Sequence, residues 1–156
     1  MPRTSTKAAA VAAAPAEPAY RLEDQVGFLL RRAYQRASSN LVERIGPYDL
    51  TAPQFATLAR LYERGTLSQN LLGRLVAMEP ANIRDVVLRL KKRRLIMTRR
   101  APEDGRLILV SLTPAGLSLV EKLLPIEIEC TSRTLAALNA NEKRLLYDLL
   151  GRLADS

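Results

Sequence analysis

The sequence predicts a mainly α-helical protein with one small β-hairpin, and three observations carry that expectation. Leucine-rich apolar residues recur at helical spacing along most of the chain, while aromatic residues make up only 4% and Trp is absent. Two runs rich in apolar and β-branched residues, Leu95 to Arg100 and Leu107 to Leu112, bracket Ala101-Pro102-Glu103-Asp104-Gly105, a Pro/Asp/Gly turn signal. Basic residues gather around that hairpin. From Arg84 to Arg106 nine of them (84, 89, 91, 92, 93, 94, 99, 100 and 106) stand against three acidic ones (85, 103 and 104), which accounts for most of the net charge of +8.

Taken in order, residues 1–19 are rich in Ala and Pro, with Arg3 and Lys7 near the start. The apolar stretch there is alanine rather than leucine, so a disordered, weakly basic tail is expected rather than a signal peptide. From Tyr20 to Ile45 the apolar residues Leu22, Val26, Leu29, Leu30, Ala33, Ala37 and Leu41 keep helical spacing, and Gly46-Pro47 stops the helix. Thr51 with Gln54 three residues on is a capping-box pattern, and the helix it opens runs to Gly65. Ser68 caps a short helix with Leu71, Leu72, Leu75 and Val76 facing inward. Ala77-Met78-Glu79 makes a turn, and Pro80 suits the first position of the next helix, where its missing N–H leaves nothing unpaired. Two short helices joined by a tight turn and followed by a basic hairpin have the layout of a winged helix-turn-helix.

Beyond the hairpin, Thr113-Pro114 starts a helix through Leu117, Leu119, Val120, Leu123, Leu124 and Ile128, with a kink expected at Pro125. Asn139 with Glu142 opens a last amphipathic helix carrying Leu145, Leu146, Leu149, Leu150 and Leu153. The terminal helices hold more leucine than one lobe needs, so packing against a second copy is expected. The expected organisation is a tail at 1–19, an N-terminal dimerisation helix at 20–50, a winged helix-turn-helix lobe at 51–113, and C-terminal dimerisation helices at 114–156.

Composition narrows the function. The absence of His removes His-dependent general-base catalysis and most zinc sites. There is no Cys pair and no Gly-rich phosphate loop, so no enzyme, metal site or cofactor is expected. A single cysteine, Cys130, fits a reducing cytoplasm; it sits in a Leu/Ile-rich helical segment as a small buried hydrophobe, with a thiol redox sensor as the alternative. No apolar run approaches the ~20 residues that span a bilayer. A pI near 10.1 then points to a polyanionic partner, and the helix-plus-hairpin patch to duplex DNA.

On the second helix of the pair, Ile83, Val86, Val87 and Leu90 share one face and form its core side. The opposite face carries Ala81, Asp85, Leu88 and Lys92, flanked by Asn82, Arg84 and Arg89. Arg84 suits a guanine edge and Asn82 an adenine edge. A merely solvated face would carry similar residues; the basic hairpin that follows argues for DNA. Arg106 at the hairpin tip, with Asp104 beside it and Arg99 and Arg100 on the first strand, suits an adjacent minor groove. Ser68 and Gln69, opening the preceding helix, complete the candidate DNA contacts.

With these residues in place, the chain resembles the MarR family of bacterial transcription regulators. The matching pieces are Leu50-Thr51-Ala52-Pro53-Gln54-Phe55, Asn82-Ile83 through Val86-Val87 to Arg89-Leu90, and Asp104-Gly105-Arg106 through Val110-Ser111-Leu112-Thr113-Pro114-Ala115-Gly116. The resemblance implies a homodimer that sets one recognition helix and one wing on each half of a palindromic operator. It also implies a repressor, released when a small phenolic or aromatic acid enters a cleft between the lobes. Asn82 and Arg84 fall where the family reads bases, and Arg106 at its wing-tip arginine. A pocket lined from the first, second and fifth helices would draw on Arg31, Tyr34, Ser38, Tyr48 and Phe55.

The segments Tyr20-Arg21-Leu22-Glu23-Asp24-Gln25-Val26-Gly27 and Ser68-Gln69-Asn70 with Ala77-Met78 are similar to regulators of aromatic and N-heteroaromatic acid breakdown, including nicotinate catabolism. That similarity implies an organic acid effector with Arg21 or Arg31 as its partner. Two positions depart from the family: Asp85 stands where an arginine is common, and Leu88 where an aspartate is. Asp85 must accept from a cytosine amino group or pair with Arg89, and Leu88 suits a thymine methyl. A non-specific architectural DNA binder without an effector is the other class that the same basic face supports.

Overall fold

Among the described residues, 20–155, the computed structural model holds six α-helices and three short strands. The tail expected over residues 1–19 lies outside them. Helix α1 covers Val26–Ile45, preceded by a 3-10 turn at Leu22–Asp24. The single helix expected from Tyr20 is thus split, because Gln25 is extended (φ −84°, ψ 124°). The Gln25 side-chain amide donates to the Arg21 carbonyl at 3.1 Å, holding the 3-10 turn against the helix start. Gly46-Pro47 ends α1 as expected and opens a 3-10 turn that closes on Asp49 in the left-handed region (φ 55°).

Helix α2, Ala52–Arg64, begins on a complete capping box: Thr51 Oγ1 accepts from the Gln54 N–H, and Gln54 Oε1 accepts from the Thr51 N–H. Strand β1 is only Leu67–Ser68, and Ser68 at once caps α3, Gln69–Leu75, by accepting from the Leu71 N–H at 3.3 Å. The turn after α3 donates Met78 N–H to the Gly73 carbonyl (2.9 Å) and Ala77 N–H to the Arg74 carbonyl (3.2 Å). This is a Schellman stop, with Ala77 in the left-handed position usually given to glycine (φ 53°). Helix α4, Pro80–Lys92, ends the same way, with Arg94 left-handed (φ 58°) and Leu95 N–H reaching back to the Leu90 carbonyl.

Strands β2, Ile96–Arg100, and β3, Ile108–Leu112, pair antiparallel with Ile96 opposite Leu112 and Arg100 opposite Ile108. Strand β1 adds to the far edge of β3, Leu67 opposite Val110, giving the order β1-β3-β2. The hairpin expected from sequence is therefore part of a three-stranded sheet. Thr113 links it to helix α5, Pro114–Thr134: its hydroxyl accepts from the Gly116 N–H (3.1 Å) and donates to the Arg94 carbonyl (2.7 Å). Helix α5 continues through Pro125. Asn139 and Glu142 form the second complete capping box, opening α6, Ala140–Ala154.

The core gathers Leu58 and Leu61 of α2, Leu72 of α3, Ile83, Val87 and Leu90 of α4, Ile96 and Val110 of the sheet, and Val120 and Leu123 of α5. Full burial of each such aliphatic side chain stabilises the fold by about 1.5–3 kcal/mol, so this cluster fixes α4 against its neighbours. Helices α1 and α5 are pinned together farther on. Arg44 donates both guanidinium nitrogens to Glu129 at 2.9 Å, and Asn40 donates to Thr134 Oγ1 at 3.0 Å. By contrast α6 has no buried residue, and Leu145, Leu149 and Leu153 stay exposed.

Candidate nucleic-acid interface and ligand cleft

Helix α4 turns its apolar face inward and leaves Ala81, Asn82, Arg84, Asp85, Leu88, Arg89 and Lys92 exposed, the face expected from the helical phase. Leu88, a large apolar group, is 58% exposed and lies outside the hydrophobic core cluster. Asp85 forms no ion pair with Arg89 among the described residues, so that option for its charge is not taken up in the free protein. Ser68 and Gln69 lie at the head of α3 and are half-buried, with the Ser68 hydroxyl already occupied as a cap.

The wing tip is organised by its own polar atoms. Asp104 Oδ1 accepts from the Arg106 N–H at 3.0 Å, an Asx turn, and the Arg100 guanidinium donates to the Gly105 carbonyl at 2.7 Å. Arg100 is therefore spent on holding the tip, whereas the guanidiniums of Arg99 and Arg106 have no partner among the described residues. All three arginines are exposed. The wing thus combines a fixed loop with free cations, an arrangement suited to phosphates and a minor groove.

Arg93, at the end of α4, donates to the Tyr48 carbonyl at 2.9 Å and to the Asp49 carbonyl. The Tyr48 ring in turn lies under Lys122 of α5, with Nζ 5.0 Å from its centroid. These contacts tie the end of α4 to the 3-10 turn after α1 and to α5. They also place Tyr48 in a structural joint and outside the cleft described next.

A cleft of about 820 Å³ opens between the helices. Tyr34, Ala37, Ser38 and Leu41 of α1 line it, with Phe55, Ala56, Ala59, Arg60 and Glu63 of α2. Leu75, Val76, Ala77 and Met78 bring in the α3–α4 turn, and Leu124, Glu127, Cys130, Thr131 and Thr134 come from α5. Leu146, Tyr147 and Leu150 of α6 close one side. Size and apolar lining with a few polar groups suit a drug-sized organic molecule. Of the six expected pocket residues, Tyr34, Ser38 and Phe55 line this cleft; Arg21, Arg31 and Tyr48 do not. Arg31 is exposed one turn ahead of Tyr34 on α1, and Arg21, before the helix, stands 3.9 Å from Asp24.

Sequence reasoning missed Arg60, Glu63, Glu127 and Thr131. A signal existed for Glu127: Gly116, Val120, Leu123, Glu127, Cys130 and Thr134 follow one helical stripe, and a carboxylate in an otherwise inward-facing row is out of place. Burial pushes the Glu127 carboxyl above its ordinary range, partly offset by a hydrogen bond with Thr131. The Cys130 thiol is buried and donates to the Asn40 carbonyl at 3.3 Å. Burial, followed by the nearby Glu127 charge, raises its pKa, the reverse of what a reactive thiolate needs. Among the described residues no cluster of His, Cys, Asp and Glu is placed to hold a metal, and no helix is long and apolar enough to cross a membrane.

Known proteins resemble this chain in sequence and fold. Residues 50–108 match the MarR family model. The HTH-type transcriptional repressor NicR of Pseudomonas putida is 36% identical over 137 residues, 88% of this chain and 87% of that protein. A probable transcriptional regulator from Pseudomonas aeruginosa is 47% identical over 85% of this chain and 99% of its own, with a TM-score of 0.79. BpsR of Bordetella bronchiseptica, whose DNA binding is regulated by 6-hydroxynicotinic acid, is 38% identical over 88% of this chain and 98% of its own, with a TM-score of 0.83. Sequence, fold and relatives agree: the chain belongs to the MarR family of winged helix-turn-helix transcription regulators and is not an enzyme.

Proposed function

We propose that the protein is a homodimeric transcriptional repressor that holds a palindromic operator with two recognition helices and two wings. It lets go when a small aromatic or heteroaromatic acid enters the cleft. In this reading residues 51–113 form the DNA-binding lobe, while residues 20–50 and 114–156 pair with the same segments of a second subunit. The free cations of Arg99, Arg106, Lys91 and Lys92 supply affinity through phosphates. Asn82, Arg84, Asp85 and Leu88 supply selectivity at base edges.

The cleft's contact with Val76, Ala77 and Met78 carries the regulatory half of the proposal. Those residues set where α4 starts, and Ala77 holds a backbone conformation that non-glycine residues adopt at a penalty of about 1–2 kcal/mol. A strained joint is easily reset when a ligand packs against it. Release follows if the ligand binds better to the reset arrangement than to the DNA-competent one. The acid class is supported by the likeness to BpsR, whose DNA binding is regulated by 6-hydroxynicotinic acid.

Dimerisation is supported by the apolar faces left uncovered at both ends. Leu22, Val26, Leu29 and Leu30 at the N-terminal end, and Leu145, Leu149 and Leu153 on α6, are each 43% exposed or more, save Leu30 at 41%. A stripe of that kind on two amphipathic helices suits an isologous contact. Selection of bound duplexes from a random pool tests the DNA half. It should return a two-fold symmetric sequence with half-sites about one helical turn apart, ~10 base pairs. Enrichment without symmetry would mark an architectural binder instead.

A further inference from the structure

Of the nine basic residues from Arg84 to Arg106, eight are exposed and Arg93 alone is half-buried. Its guanidinium is committed to two successive carbonyls: Nη2 donates to Tyr48 at 2.9 Å and Nη1 to Asp49. Among the described residues, no other side chain of α4 or its cap hydrogen-bonds to another element.

The two acceptors are themselves fixed. The Asp49 N–H closes its turn on the Gly46 carbonyl at 2.8 Å, and Tyr48 packs on the core with Lys122 of α5 over its ring. Helix α1, which leads into this turn, is held to α5 by the Arg44–Glu129 pair. Arg93 thus joins the end of α4 to α1 and α5, helices proposed above to meet the second subunit. Apolar packing holds α4 down without preferring a direction. A planar fork with two donors fixes direction as well as distance, which a single ammonium does not.

We propose that Arg93 is a positioning residue for DNA recognition: it sets the angle of α4 against the dimerising helices, and with it the separation of the two half-sites, without touching DNA. This rests on the homodimeric operator reading above and names the joint that gives the operator its spacing. The leverage is large. The 13 residues of α4 span about 20 Å. A tilt of about 10° at Arg93 therefore moves the far end by about 3.4 Å, the rise of one base pair.

Gel-shift titration of the full chain tests this. The probes are the duplex returned by random-pool selection and two versions with one base pair added or removed between its half-sites. The wild-type protein should prefer its own spacing by about tenfold or more. Arg93→Ala should bring the three duplexes within about threefold of one another, with the slope of log affinity against log salt unchanged. Arg93→Lys, which keeps the charge and loses the fork, should behave as the alanine variant does. A variant that is merely less stable loses affinity for all three duplexes alike, so their ratio reports positioning. Each variant's melting transition reports folding, and Arg93→Gln replaces the alanine variant should that one fail to fold. A folded alanine or glutamine variant that keeps the wild-type spacing preference overturns the inference. So does a salt slope lowered by about one and restored by lysine, which marks a phosphate contact. If selection returns no two-fold symmetric sequence, the operator reading fails and this inference fails with it.

Discussion

Gly116 lies directly under the carbonyl of Leu95: a Cβ at position 116 would come within 1.9 Å of that oxygen and 2.9 Å of its carbon. The same carbonyl accepts from the Thr113 N–H at 3.1 Å, so the first turn of α5 and the base of the wing share one contact. Backbone on both sides of the clash leaves no flexible side chain to move aside. Gly116→Ala should therefore destabilise the protein by ~1–3 kcal/mol, the usual range for overpacking, and toward its upper end. The midpoint of guanidinium unfolding at unchanged slope reads this directly.

The α3–α4 turn gives a prediction of opposite sign. Ala77→Gly removes a left-handed penalty of about 1–2 kcal/mol. It also adds unfolded-state freedom that opposes this by about 0.4–1 kcal/mol. The net expectation is a stabilisation of up to about 1.6 kcal/mol, seen as a higher melting temperature. A clear loss of stability would mean that the Ala77 methyl packs more than its backbone strains.

At the wing, two arginines should behave differently from a base-reading one. Arg106→Ala should weaken duplex binding broadly and reduce the slope of log affinity against log salt by about one. Arg100→Ala should weaken binding by loosening the tip, because its guanidinium holds the Gly105 carbonyl. Arg84→Ala should change which sequence is preferred, by about 1–3 kcal/mol at one base pair. An Arg106→Ala protein with unchanged affinity in a gel-shift titration would contradict the wing assignment.

Stability should also carry the signature of Glu127. Its folded pKa is raised, chiefly by burial, so the charged form is disfavoured in the folded protein. The stabilisation that comes from the protonated form is complete below the unfolded-state pKa and is lost as pH rises through the folded value. Melting temperatures of wild type and Glu127→Gln should thus diverge as pH rises above the ordinary glutamate range, with the glutamine variant relatively more stable. Parallel curves across that window would mean that the carboxyl is not desolvated.

Elements announced by local chemistry were legible in the sequence. Thr51 with Gln54 and Asn139 with Glu142 mark helix starts because a capping box lies within four residues. Asp104-Gly105 marks a turn for the same local reason. The phase of Ile83, Val87 and Leu90 fixed the buried face of α4 and hence its exposed one. Strand β1 was not legible: two residues carry no periodicity, and what makes Leu67 a strand is Val110, far along the chain. The cleft was read only in part. Of the expected residues, Tyr34, Ser38 and Phe55 line it and Arg31 lies outside; the stripe of α5 marks Glu127 as inward-facing, but that its oxygen is sealed depends on tertiary packing.

In the proposed mechanism one cleft reports to helix α4 through Val76, Ala77 and Met78. Its most direct test is the anisotropy of a labelled operator duplex, taken from the selection described above, as 6-hydroxynicotinate is added to the protein–DNA complex. A saturable fall to the value of free DNA is expected, with a reciprocal loss of ligand affinity by the same factor when operator is present. Ligand that binds by calorimetry while operator affinity stays the same would contradict it.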